Sequence, residues 1–226
     1  DTALPNTAQD VKTFVRTAVL NYVTDLKAKS VLYNLVEKIE PAVRAVMTQE
    51  APKKEKAEAL HSIVMRHLKE AAKQDAEATK LNGSLTQGFE ELEVILKKMP
   101  AAYSQTNMIF SVKEKQKPGT GGIFSILVSD LCKGCGQCAV ECGDHDALRM
   151  VDETEAVNAD MVTAIKLLEK LPDTPRDYLG LYNPENPEDS KAAVLHYHLM
   201  QQSKYHSLVS GDGACAGCGE KTVLHL

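Results

Sequence analysis

The residues of this chain best suited to chemistry are four closely spaced cysteines, Cys132-Lys-Gly-Cys135-Gly-Gln-Cys138-Ala-Val-Glu-Cys142. Thiolates are soft ligands, and at successive spacings of two residues on a turn they can reach different irons of one cubane iron-sulfur cluster. Gly134 and Gly136 lie between them, where the absence of a Cβ lets the backbone turn tightly enough to aim N–H groups at cluster sulfides. Cys-x2-Cys pairs also serve tetrahedral zinc, but zinc sites usually draw two pairs from separate turns, whereas here three cysteines follow one another at that spacing. A further close pair, Cys215 and Cys218, completes the six cysteines of the chain, all confined to residues 132 to 218. Such clustering, in a sequence that opens with no export signal, reads as metal binding before it reads as disulfides.

These residues need elements to hold them. Met108, Phe110 and Val112 alternate, and Ile123, Phe124, Ile126 and Val128 follow the glycine-rich Lys117-Pro-Gly-Thr-Gly-Gly122. This predicts two strands joined by a turn ahead of the cysteine loop. Ile126, Val128, Ala139, Val140, Leu148 and Met150 are the apolar side chains expected around a cluster there. After it, residues 164–170 read as helical, residues 171–189 hold four prolines and read as a linker, and a last helix is expected over residues 190–202.

Residues 1–100 carry no chemistry and read as an antiparallel helical bundle, because apolar residues recur at spacings of three and four. Val11, Phe14 and Val15 begin one run, and Leu32, Leu35, Val36, Ile39 and Val43 lie in the next. Ser30 is a candidate cap for the second helix, and Pro41 within it predicts a kink or a break. A third helix is expected from Pro52 to about Leu81, stopped by Asn82-Gly83, and a fourth from Gln87 to Met99. His61 and His67, six apart, fall on opposite sides of a helix and are poorly placed to share a metal. The net charge of −5 gives no basic patch for nucleic acid or an anionic membrane, and no apolar run approaches the roughly 18 residues of a membrane span. A cytoplasmic protein with one or two packed domains is expected.

Ser129-Asp-Leu-Cys-Lys-Gly-Cys-Gly-Gln-Cys-Ala-Val-Glu-Cys142, followed by Ala147-Leu-Arg-Met150, resembles the ferredoxin-like domain of pyruvate:ferredoxin oxidoreductases. Ser210-Gly-Asp-Gly-Ala-Cys-Ala-Gly-Cys-Gly-Glu220 is similar to the segment with which those enzymes enter their thiamine-diphosphate domain. The resemblance covers residues 107–226. It implies a 4Fe-4S cluster on Cys132, Cys135 and Cys138, with Cys142 either closing it in a one-cluster form or serving the other cluster of a two-cluster arrangement, and places Cys215 and Cys218 among the ligands of a cluster nearer the thiamine cofactor. It also implies oxidative decarboxylation of a 2-oxoacid by the complete enzyme with thiamine diphosphate, magnesium and coenzyme A, and ferredoxin or flavodoxin as the electron acceptor. The chain departs from the family in showing one four-cysteine motif where two are usual, in carrying Gly143 where proline is usual, and in ending at Leu226, short of the cofactor pocket. No catalytic acid or base is expected within it, and alone it should be inactive towards 2-oxoacids.

The expected architecture is thus α+β, with the helical bundle at 1–100 and a ferredoxin-like β-loop-α-β unit at 101–170. A linker and helix at 171–209 and the start of the thiamine-diphosphate domain at 210–226 complete it. The remaining domains or subunits of the oxidoreductase would be partners. The rival reading is a zinc-stabilised protein-interaction module, with the bundle as its docking surface.

Overall fold

Apolar side chains at helical spacing fold most of the described residues into helices, beside a small sheet. The structure is a computed structural model that describes residues 6–49, 58–128, 132, 134–145, 148–179, 185 and 200–202. At the coarse level it is α+β, mostly helical with a small antiparallel sheet. Contacts divide it into two compact units, one of residues 7–125 with 167–172 and the other of residues 1–6, 126–166 and 173–226.

The first of these, the helical unit, opens on strand β1 (Asn6–Gln9) and helix α1 (Val11–Tyr22). Asp10 caps α1 by accepting the Thr13 N–H at 2.6 Å, and Val11, Phe14, Val15, Ala18 and Val19 form its buried face. Helix α2 (Leu26–Gln49) is started by Asp25, whose carboxylate accepts the Ala28 N–H at 2.7 Å, so Ser30 lies inside the helix rather than at its cap. Pro41 does not break it. Ile39 and Val43, on either side, are both buried, and that packing holds the helix across the missing donor.

Helix α3 (Leu60–Gln74) buries Leu60, Ile63, Val64, Met65, Leu68 and Ala72, while its expected start at Pro52 lies outside the described residues. The chain breaks earlier than Asn82-Gly83 predicts. Asp75 ends α3 and caps the short α4 (Ala76–Lys80), accepting from Glu77 N and Ala78 N at 3.0 and 3.1 Å. Asn82 and Gly83 then open helix α5 (Asn82–Lys98), because residues that favour turns serve a helix start as readily as a stop. Helices α1, α2, α3 and α5 pack on one another around a core that includes Leu32, Leu35, Met47, Ile63, Leu68, Leu92 and Leu96.

Gly88 decides how closely α5 approaches. A Cβ there would stand 3.1 Å from Leu32 Cδ1 and 3.2 Å from Ala28 Cβ. Gly88→Leu is expected to force α5 off α2 and to lower unfolding free energy by about 1–3 kcal/mol, the usual cost of overpacking, read from the urea midpoint.

Glu91 of α5 pins the turn between α1 and α2, accepting the Thr24 N–H and hydroxyl at 2.8 and 2.7 Å. The Thr24 backbone N–H, then its hydroxyl, hold the Glu91 carboxyl below the ordinary glutamate value. A depressed folded pKa contributes stability that is present above the unfolded pKa of about 4.3 and is lost as pH falls through the folded value. Glu91→Gln should therefore lose less melting temperature than the parent between neutral pH and pH values below the folded pKa, and an equal loss in both proteins would reject this assignment.

After α5 come strand β2 (Ala101–Ala102), helix α6 (Ser111–Gln116) and strand β3 (Ile123–Ile126). The strands lie in the order β1-β3-β2, with β2 antiparallel to β3 and Ala101 opposite Ser125. The strand expected over Met108 to Val112 is instead a turn entering α6. Ile109 N and Phe110 N both donate to Thr106 O, at 2.9 and 2.8 Å. Ile109 and Phe110, neighbours in sequence, are buried while Met108 and Val112 are exposed, so the alternation did not mark two faces of a strand.

The glycine-rich segment is fastened by a buried ion network. Glu114 accepts Gly119 N and Gly121 N at 3.0 and 2.8 Å, and Arg44 Nη1 reaches Gly121 O at 2.6 Å and Glu114 Oε2 at 3.4 Å. Arg44 Nε also donates to Glu40 at 2.7 Å.

The second unit contains helix α7 (Gln137–Cys142), a 3-10 turn at Gly143–His145, most of helix α8 (Glu155–Leu168), and a 3-10 turn at Arg176–Tyr178. The expected linker and final helix fall almost wholly outside the described residues. No helix among the described residues is long and apolar enough to cross a membrane.

Candidate metal centre

The cysteine loop is built from the backbone upward. Two glycines take left-handed conformations that β-carbon-bearing residues adopt at a cost, Gly134 at φ 64° and Gly136 at φ 77°. The first turns the chain between Cys132 and Cys135, and its N–H donates to Cys132 Sγ at 3.4 Å. The second is the N-cap of α7, and its carbonyl accepts from Ala139 N and Val140 N at 3.0 Å each. Cys138 and Cys142 are four apart on α7 and so share one side of it. Gly143, also at positive φ, ends the helix directly after Cys142.

None of these four cysteines is in a disulfide. Cys135 is exposed, and Cys132, Cys138 and Cys142 are half-buried. Four thiols and backbone N–H groups along a loop that turns through two left-handed glycines into a helix suit an iron-sulfur cluster in donor chemistry. Among the described residues no three His, Cys, Asp or Glu side chains stand together closely enough to hold a metal ion. The expected pair Cys215 and Cys218 lies outside the described residues.

The apolar surroundings differ from expectation. Val140 and Met150 are 74% and 55% exposed, so they do not bury the loop in this chain, and Ile126 is 37% exposed. Met150 nonetheless stays close, with its Sδ 4.0 Å from where a Cβ on Gly136 would be.

A pocket of about 280 Å³ lies in the helical unit, among Thr48, Ser104, Phe110, Ser111, Glu114 and Lys115, and no cysteine lines it. Much of its polar lining is engaged. Thr48 Oγ1 donates to Arg44 O, Ser111 Oγ donates to Ser104 O, and Glu114 is held by the arginine network.

Sequence reasoning missed that network. Its signal was a charged residue, Arg44, falling in the buried stripe between Val43 and Met47. No known family model, no curated protein and no solved structure matches this chain.

Proposed function

We propose that this chain is the iron-sulfur electron-transfer segment of a 2-oxoacid:ferredoxin oxidoreductase of the pyruvate type, with a 4Fe-4S cluster held by Cys132, Cys135, Cys138 and Cys142. The observation that carries this reading is the set of four thiols, none in a disulfide, on a loop that turns through Gly134 and Gly136 into α7. The cluster would supply one-electron chemistry, and the protein's part is to hold it, set its exposure and offer N–H groups to its sulfur.

Cys215 and Cys218 are assigned to a second, thiamine-proximal cluster completed by residues beyond this chain. Thiamine diphosphate, magnesium and coenzyme A belong to the complete enzyme, whose other domains or subunits are partners of this segment in the cytoplasm. Ferredoxin or flavodoxin is the terminal acceptor. Residues 101–170 are the ferredoxin-like domain in this reading, and the chain alone does not oxidise 2-oxoacids.

Anaerobic reconstitution tests the reading directly. A brown chain with about four iron and four sulfide on the first motif is expected, as a cubane requires. A colourless chain that retains zinc and takes up no sulfide would assign the loop to a structural zinc site instead.

A further inference from the structure

The pocket of the helical unit has room for about nine waters, since its volume of about 280 Å³ compares with about 30 Å³ for a water in the liquid. That is the scale of a small organic molecule. The charges on its wall are not all spent within the protein. Glu114 is already compensated, because it accepts Gly119 N and Gly121 N and pairs with Arg44 at 3.4 Å. Arg44 in turn serves Glu40, which Lys12 also approaches at 3.9 Å. Lys115 lines the same pocket, is exposed, and pairs with no carboxylate among the described residues, so one positive charge is left over. Ser104 is the second unspent group. It lines the pocket and is 3% exposed, and its Oγ is buried without a hydrogen-bond partner. Buried hydroxyls nearly always have one, so an orphan in the wall of a pocket points to a partner held there.

We infer that this pocket binds a small organic carboxylate, its carboxyl group held by the Lys115 ammonium and the Ser104 hydroxyl and its carbon body set against Phe110, the apolar member of the lining. Phosphate suits the pocket less. It carries close to two charges at neutral pH against one uncompensated cation, and it has no apolar body for the ring. The inference is independent of the iron-sulfur reading, because no cysteine lines the pocket.

Benzoate matches this size and chemistry, and benzamide is its neutral isostere. Calorimetric titration into the full 226-residue chain should give a dissociation constant of about 1 mM or tighter for benzoate, and one at least about tenfold weaker for benzamide. Lys115→Met should weaken benzoate at least about tenfold. Lys117→Met, at an exposed lysine outside the pocket, changes net charge equally and should move benzoate by less than about twofold. Ser104→Ala should weaken benzoate about threefold or more with no fall in the urea midpoint, because its hydroxyl makes no bond in the free protein. Benzamide binding as tightly as benzoate, or equal weakening by the two lysine variants, would overturn the proposal, as would benzoate binding that fails to saturate below about 10 mM. Unaltered benzoate affinity in Ser104→Ala would place the ligand elsewhere and overturn it too. Inorganic phosphate that displaces benzoate at equal concentration would show a general anion site and overturn the carboxylate assignment.

Discussion

Cys135→Ser should come out of anaerobic reconstitution almost free of iron and sulfide. Cys135 sits between the two left-handed glycines, central among the thiols of the first motif, and a serine hydroxyl there is a poor ligand for iron. Loss of an outer hydrogen-bonding partner of a metal typically costs roughly 10–100-fold in affinity, and loss of a ligand should cost more. The side chain is exposed, so the circular dichroism of the helices should not change. That separates loss of a ligand from loss of the fold. Iron and sulfide equal to the parent would reject the assignment of this loop to a cluster.

The largest expected effect on stability lies elsewhere, at Arg44. Its side chain is 7% exposed and that of Glu114 is 9%, and Arg44 also supports the Gly121 carbonyl. Arg44→Ala leaves a buried carboxylate without its cation and a buried carbonyl without its donor. Breaking a buried pair in this way costs about 3–5 kcal/mol, to be read as a fall in the urea midpoint. Arg44→Met with Glu114→Gln should recover much of that loss, because no uncompensated charge then remains inside. A loss below about 1 kcal/mol in Arg44→Ala, within the range of ordinary surface pairs, would show that the network does not hold the glycine-rich segment.

Much of the helical unit was legible because its apolar residues sit at three- and four-residue spacings, and the buried faces of α1, α2 and α3 follow those spacings closely. What sequence could not weigh was competition between local signals and packing. Pro41 carried a strong break signal, yet the buried residues around it keep α2 continuous. Met108, Phe110 and Val112 alternated over too few residues to separate a strand from a turn, and hydrogen bonds to Thr106 O settled it as a turn. At the candidate site, the spacing of Cys132, Cys135, Cys138 and Cys142 was legible in full, as was the tight turning at Gly134 and Gly136. The exposure of Val140 and Met150 was not, since hydropathy marks a residue as apolar without saying whether a neighbour from this chain or from another covers it.

The chain leaves the helical unit after Ser125 and rejoins it at Leu167–Pro172, where Leu167, Leu168 and Leu171 are each under 5% exposed. The polypeptide that carries the four thiols is therefore a span fixed at both ends, not a tail. Bringing the ends of a span of about forty residues together has an entropic cost that grows only slowly with its length, and that cost is met when the helical core folds. A single cut within the span would leave each half with its own anchor in that core, so the two pieces would stay together without a peptide bond between them. Changes in the length of the span are correspondingly cheap, whereas damage to the leucine anchor would release one end of the cysteine-bearing segment.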